Sequence, residues 1–554
     1  MKFSFHPTFR NGLLVCLSLL VVGPAPGQRI GGEWALKYQI FGEQELGFFG
    51  DDVAGPGDLD GDGFSDFIVG APIESFDNGA IYAYSGKSGN LLWEWTIGGW
   101  TGFAVSGAGD VNGDGAPDVV VGSPNLNTVT ILLNDGTVWW TKSNGFAQLG
   151  RAVASLGDVN LDGFDDVIVG ADRTNPQGMN DAGSVFVYSG LDGTRLFRFN
   201  GAFPGDRFGL SVAGAGDTNA DGCPDILVGT IFADRGGFSK VGVAYLYSGN
   251  DGTLLYEYEG LLSDGFLLGG ALSGAGDLNK DGYDDFLISA PGADHSFIDA
   301  GTVFVYSGQD GNVMFQVSGT YNGDFFGEDI DSLTDSDFDG IPEIVISSLR
   351  FPVDLGRFEV RSGADGRLLD TIVGTELNAG LGRHIATVGD IEGNGLDAVI
   401  AGLRAMDNGG IDSAGAVQVF SPNPFIFADA TELSASSGVP VQVLMSFPES
   451  EANAKYALLL SGAGTGPTTI AGLEVPLGQS LLLSQMLTGW APFNLHGAFG
   501  TLDANAQATA TLDSDPTLAG LVGTTFYMAA VTYDSSPALA GRRTSIAWPI
   551  RITL

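Results

Sequence analysis

Cysteine is nearly absent from this chain. Its 554 residues hold two, Cys16 and Cys223. Cys16 lies in an apolar N-terminal run that reads as a removable leader, so no disulfide can form within the mature chain. Positive charge is scarce as well: 24 lysines and arginines stand against 66 aspartates and glutamates, a formal net charge of −42. Affinity for a phosphate backbone comes from clustered Lys and Arg, so nucleic acid is excluded as a partner and cations are expected instead. Histidine is rarer still. Beyond the leader only His295, His384 and His496 remain, with no G-x-S-x-G elbow or H-E-x-x-H helix around them. Long apolar runs are missing too. The run from Leu13 to Val22 falls well short of the ~20 residues a membrane-spanning helix needs. With Lys2 and Arg10 before it and Ala25 and Gly27 after it, this run reads as a secretion signal over residues 1–27. The expected location is therefore outside the cell or on its surface, without a membrane span.

Glycine and aromatics are abundant. With 86 glycines, 36 phenylalanines and only 16% charged residues, the chain is turn-dense and well buried, which points to an all-β fold. One phrase recurs along it: a short strand of small residues, an acidic loop, an apolar strand, then two more strands joined by turns. The acidic loops begin at Asp58, Asp110, Asp158, Asp217, Asp277, Asp335 and, in degraded form, Asp390. Their spacing of roughly 48 to 60 residues is that of propeller blades and far exceeds a β-helix repeat. Turn residues such as Tyr84-Ser85-Gly86, Tyr247-Ser248-Gly249 and Asp251-Gly252 mark meander hairpins. The spacing predicts a seven-bladed β-propeller over residues 34–421. An unpaired strand at Trp34 to Ile40 is expected to complete the last blade as a velcro closure, removing exposed sheet edges.

Each loop carries a cation pattern. Loop one places Asp58, Asp60, Asp62 and Asp66 at positions one, three, five and nine, with Gly63 at position six. A hard cation takes about six to eight oxygens, and alternating positions in a tight loop turn inward together. Glycine permits the turn that exposes the carbonyl of position seven, here Phe64. Loop two offers Asp110, Asn112, Asp114, Ala116 (carbonyl) and Asp118; loop three Asp158, Asn160, Asp162, Phe164 and Asp166; loop four Asp217, Asn219, Asp221, Cys223 and Asp225. Loop five offers Asp277, Asn279, Asp281, Tyr283 and Asp285, and loop six Asp335, Asp337, Asp339, Ile341 and Glu343. Loop seven has Asp390, Glu392 and Asn394 but Ala398 at position nine, with Asp397 one place early, so little or no binding is expected there. About six calcium ions are expected. Magnesium fits less well, because it demands near-ideal octahedral geometry and retains water. A single acidic loop is as readily an Asx-rich hairpin cap, and it is the repetition at matching offsets that points to metal.

Phe49-Gly50 ahead of loop one and Val69-Gly70-Ala71-Pro72 after it resemble the FG-GAP repeat of integrin alpha subunits. Phe208-Gly209 and Phe326-Gly327 repeat the first half, and Val121-Gly122-Ser123-Pro124 repeats the second. Thr101-Gly102, Leu149-Gly150, Leu268-Gly269 and Leu381-Gly382 depart from the FG pair. The resemblance implies calcium in the matching loops and a role in extracellular binding, adhesion or scaffolding, with a protein or glycan as partner. An extracellular carbohydrate-active enzyme built on the propeller is the alternative reading, since abundant aspartates would conceal an acid–base pair. Past a linker at residues 422–426 the composition shifts to Ala, Leu, Thr and Ser. Alternation at Val439, Val441 and Val443, and again at Ala506, Ala508 and Ala510, predicts a small β-sandwich-like domain over residues 427–554.

Overall fold

The computed structural model describes residues 33–553 apart from short internal stretches, the longest at 534–540. The expected leader (residues 1–27) and Asp337 of loop six lie outside the described residues. The chain is almost entirely strand, and the described residues up to Asn423 form seven four-stranded antiparallel sheets. The first consists of Asp52–Gly57, Asp66–Ala71, Ala80–Tyr84 and Leu91–Trp95, paired in that order. Five more follow the same meander. The seventh is assembled from both ends of the chain: Ile385–Gly389, Ala398–Gly402 and Ala416–Asn423 are joined on the outside by Glu33–Phe41. That N-terminal strand runs antiparallel, with Trp34 opposite Pro422 and Phe41 opposite Ala416.

Strand composition follows position in the sheet. The second strand of each of the first six sheets, such as Asp166–Ala171 (DVIVGA) or Asp285–Ala290 (DFLISA), is buried at every residue because neighbouring sheets cover both of its faces. Fourth strands such as Leu91–Trp95 and Arg195–Asn200 have exposed residues among half-buried ones and form the rim. First strands hold small residues because they crowd together. Each first strand packs against the next, from Asp52–Gly57 round to Ile385–Gly389, and the last packs against the first. At that return a Cβ on Gly55 would run into the Thr387 carbonyl. A Cβ on Gly70, in the first sheet's second strand, would likewise meet the Gly102 carbonyl of the next sheet. The glycines of the repeat are thus close-approach positions between sheets as well as turn residues.

Charged groups tie the return at the opposite end of the first strands. His384 places Nδ1 3.6 Å from Asp52 Oδ1 and 3.5 Å from Asp329 Oδ2, bridging the sixth, seventh and first sheets. Burial opposes its protonation, but the hydrogen bond to Asp329 and the charges of Asp52 and Asp329 outweigh this and push its pKa up to about 9. Both aspartates also cap neighbouring strands: Val105 N donates to Asp52 Oδ2 at 2.8 Å, and Ile385 N donates to Asp329 Oδ2 at 2.9 Å.

The C-terminal residues form two larger sheets around one hydrophobic core and a two-stranded pair, Thr468–Ile470 with Leu473–Val475. Ile426–Ala428, Val441–Ser446, Gln507–Leu512 and Leu495–His496 make one, and Lys455–Ser461, Thr525–Tyr533 and Trp548–Thr553 lie at the centre of the other. Val443, Met445, Leu458, Met528 and Ile550 are fully buried between them. Of the alternating residues read from sequence, Val441 and Val443 point inward, whereas Val439 precedes the strand and is exposed.

Gly55→Ala is expected to destabilise the chain by about 1–3 kcal/mol, the range of an overpacked contact. Gly55 has no positive φ, so the penalty comes from the Thr387 carbonyl alone. Urea unfolding of the two chains checks it; equal midpoints would show that the first strands have room to spare.

Candidate metal centre

Each acidic loop joins a first strand to a second. In loop one the Asp58 carboxylate accepts three backbone N–H groups, with Oδ1 taking Gly61 at 2.8 Å and Asp62 at 3.1 Å and Oδ2 taking Gly63 at 2.8 Å. Asp60 Oδ1 accepts from Asp62 N at 3.0 Å, and Asp62 Oδ1 from Phe64 N at 3.0 Å. These nested Asx turns wind the backbone so that alternate side chains converge. Carboxylate oxygens of Asp58, Asp60 and Asp66 lie within 4.8 Å of one another. Among the described residues this is the one such grouping of three acidic, His or Cys side chains. In loops two to five an asparagine amide replaces the carboxylate at position three, which reduces the acidic groups without removing the oxygen. The wound backbone persists there: Asp110, Asp158, Asp217 and Asp277 each accept the N–H groups of positions five and six. In loop six Asp335 does the same with Asp339 and Gly340. Cys223, at position seven of loop four, has a buried thiol and offers the site only its backbone.

Position nine has the most constrained geometry. Asp66, Asp118, Asp166, Asp225 and Asp285 have no exposed surface, and Glu343 is also buried. One oxygen of each accepts the N–H of position two, from Leu59, Val111, Val159, Thr218, Leu278 and, for Glu343, Ser336, at 2.7–3.1 Å. The other oxygen of each aspartate accepts an N–H just past the third strand: Gly86, Asn134, Gly190, Gly249 and Gly308, at 2.9–3.1 Å. One carboxylate therefore fastens the loop to its own sheet. Burial raises its pKa and the two N–H donors lower it, leaving Asp66, Asp225 and Asp285 at about 6 and Asp118 and Asp166 at about 7.

Two features of the loops had no obvious sequence signal. Position four is left-handed throughout the described loops, at Gly61 and Gly113 but also at Leu161, Ala220 and Lys280. Position eight fastens one loop to the previous sheet's loop. Asp165 Oδ2 accepts Asp110 N at 2.8 Å, Asp284 Oδ2 accepts Asp217 N at 2.8 Å, and Asp397 Oδ2 accepts Thr334 N at 2.9 Å. Asp397 is accordingly a position-eight staple and not a ninth ligand set one place early. The doublets Asp165-Asp166 and Asp284-Asp285 were the available clue. Loop seven keeps the Asp390 turns but gives up the cage: Glu392 pairs with Lys37 at 2.8 Å, and Ala398 starts the buried second strand. Its position seven, Leu396, is 1% exposed and packs into the hydrophobic core of the C-terminal sheets.

The repeated loop, the small-residue first strand before it and the buried strand after it correspond to known repeat models. FG-GAP-like repeats match residues 58–121 and 110–169, and an FG-GAP repeat matches residues 269–306. The chain carries FG-GAP repeats and an integrin-alpha-like β-propeller. It is 32% identical over 194 residues to integrin alpha-5 of Xenopus laevis, an alignment covering 32% of this chain and 18% of that protein. Integrin alpha-V of Gallus gallus is 31% identical over 248 residues, covering 43% of this chain and 20% of that protein. Integrin alpha-PS5 of Drosophila melanogaster is 29% identical over 190 residues, covering 32% and 18%. The chain thus spans about a fifth of the length of the curated relatives it matches. No helix among the described residues is long and apolar enough to cross a membrane.

Without metal, the position-nine aspartates bind a proton more tightly folded than unfolded, since their folded pKa values exceed 3.8. That contribution is full below 3.8 and lost as pH rises to between about 6 and about 7. Melting in EDTA is therefore expected to occur at progressively lower temperature from about pH 4 to about pH 7. Asp166→Asn, neutral at every pH, should show a shallower fall; an identical slope would remove Asp166 from the account.

Proposed function

We propose that the chain is an exported, calcium-loaded, seven-bladed propeller that acts as an extracellular binding, adhesion or scaffold module. The observation that carries this reading is the convergence of Asp58, Asp60 and Asp66 on a loop whose wound backbone recurs in five others. The donor set is oxygen only, which suits a hard cation. Carboxylates at positions one, five and nine, the carboxylate or amide at position three and the carbonyl at position seven would hold the ion. Cyclic packing of the first strands supports the count of seven blades. Residues 34–421 would be the propeller and 427–554 the C-terminal β-domain, with residues 1–27 removed on export.

Calcium here is a structural ligand. Carboxylates gathered in each loop repel one another by about 1–3 kcal/mol per pair at ~5 Å, and a cation reverses that sign. At a free concentration about ten times its dissociation constant, each ion stabilises the folded state by about 1.4 kcal/mol. Six loops together would supply what a chain with no internal disulfide lacks. An acidic surface and the family resemblance point to an extracellular protein or glycan as partner, and the net charge of −42 argues against nucleic acid.

Thermal melts of the mature chain in millimolar calcium, in magnesium and in excess EDTA test the proposal. A marked drop in Tm on chelation, restored by calcium and poorly by magnesium, is expected. Asp58→Asn with Asp60→Asn should remove about one ion of the total measured by calorimetry. A melt unmoved by EDTA would refute structural calcium.

A further inference from the structure

On the side away from the acidic loops, the first and fourth sheets share an aromatic slot. In the first sheet Phe49 packs on Tyr82 with ring centroids 5.5 Å apart, and the Tyr82 hydroxyl donates to Glu74 Oε2 at 2.7 Å. In the fourth, Phe208 packs on Tyr245 at 5.4 Å, and Arg235 donates to the Tyr245 hydroxyl. Register identifies the equivalent residue of the fifth sheet. Tyr82 pairs with Val69 and Glu94, Tyr245 with Val228 and Glu257, and Phe304 with Ile288 and Gln316. Relative to the first sheet, the slot here has lost bulk three times. Leu268 stands where Phe49 and Phe208 stand, Phe304 lacks the tyrosine hydroxyl, and Ala293, three residues past Ala290, takes the place of Glu74, three past Ala71. The result is a cavity of about 240 Å³ lined by all three residues.

Polar groups ring this aromatic floor. Glu259, Asp294, His295 and Gln316 line the cavity, and among the described residues no lysine or arginine does. The acidic lining disfavours an anion. Nor are the two carboxylates idle counter-charges for a cation: Glu259 Oε1 lies 3.4 Å from Arg235 Nε, and Asp294 Oδ1 accepts Asp299 N at 2.7 Å. Each still has lone pairs to accept hydroxyl protons. Acceptors around an apolar aromatic face, in a space the size of one ring, suit a ligand with polar edges and an apolar face.

We propose that this cavity is a saccharide subsite taking one neutral, hydroxyl-rich sugar ring, its C–H face on Phe304 and its hydroxyls on Glu259, Asp294 and Gln316. The proposal names a ligand class for the binding module described above and rests on that reading. Saturation-transfer NMR of the full mature chain in calcium, with the methyl glycosides of glucose, galactose and mannose as probes, tests it. Methyl glucuronate and an N-acetyl-lysine amide serve as the anionic and cationic probes. Transfer from at least one neutral glycoside is expected, with weaker or no transfer from the charged probes. Leu268→Phe with Phe304→Tyr refills the slot with the residues that sibling sheets already carry. It should weaken binding about tenfold or more without shifting the melt. If that variant does not fold, exposed Gln316→Ala should weaken the same glycoside by a smaller but measurable factor. Silence from every neutral glycoside, undiminished binding by the refilled chain, or preference for the lysine amide would overturn the subsite. A calcium-dependent melt alongside silent glycosides would sink the subsite alone and leave the calcium-held module intact.

Discussion

The buried carboxylate at position nine is the constraint on which the rest depends. Asp66 and its four aspartate counterparts close loops one to five by accepting one N–H from position two and another from beyond the third strand. Remove that double acceptance and two backbone donors are stranded in a region without water, a cost larger than the bond itself contributes. The same residue would face a cation on its remaining lone pairs. Metal, loop and sheet are therefore not separable layers: the group that would bind the ion is already the rivet of the blade.

A second tier of contacts runs around the ring. Position-eight aspartates take the N–H of the preceding sheet's loop, and the Cβ-free glycines let neighbouring backbones touch. Each loop is consequently shaped by its own sheet and by the next. Loop seven shows the alternative to the full oxygen set: its acid turns to Lys37, and its position-seven side chain, Leu396, sinks into the C-terminal core. A loop with the full oxygen set and a loop packed against the C-terminal sheets differ by a few side chains on the same backbone.

Much of this was legible in the sequence, for identifiable reasons. The offsets of Asp58, Asp60, Asp62 and Asp66 are local, so a pattern within one loop announces itself, and the strand at Trp34 found its partner because it stood unpaired ahead of the first repeat. Contacts made across sheets were harder to read. Asp397 looked like a misplaced ligand because its true partner, Thr334, is 63 residues away. Leu161, Ala220 and Lys280 gave no hint of a left-handed backbone, since tertiary packing imposes it on residues with no preference for it. The cavity beside Phe304 was invisible for another reason: it arises from missing bulk at three separated positions, and absence has no motif. Val439 was placed one step too early because alternation alone does not mark where pairing begins.

The outer strand of the seventh sheet joins Glu33 to Asn423. This pairing is among the least local in the molecule, yet the entropy of closing so long a loop grows only with the logarithm of its length. The larger effect is on order of events. The strand Glu33–Phe41 has no partner until the last hairpin of the ring has been made, so it waits as an unpaired, aggregation-prone edge through most of synthesis. Once zipped, the ring has no free end from which to peel. Closure of this kind delays completion of the last sheet and opposes its peeling apart, so durability here is a matter of rate as much as of free energy.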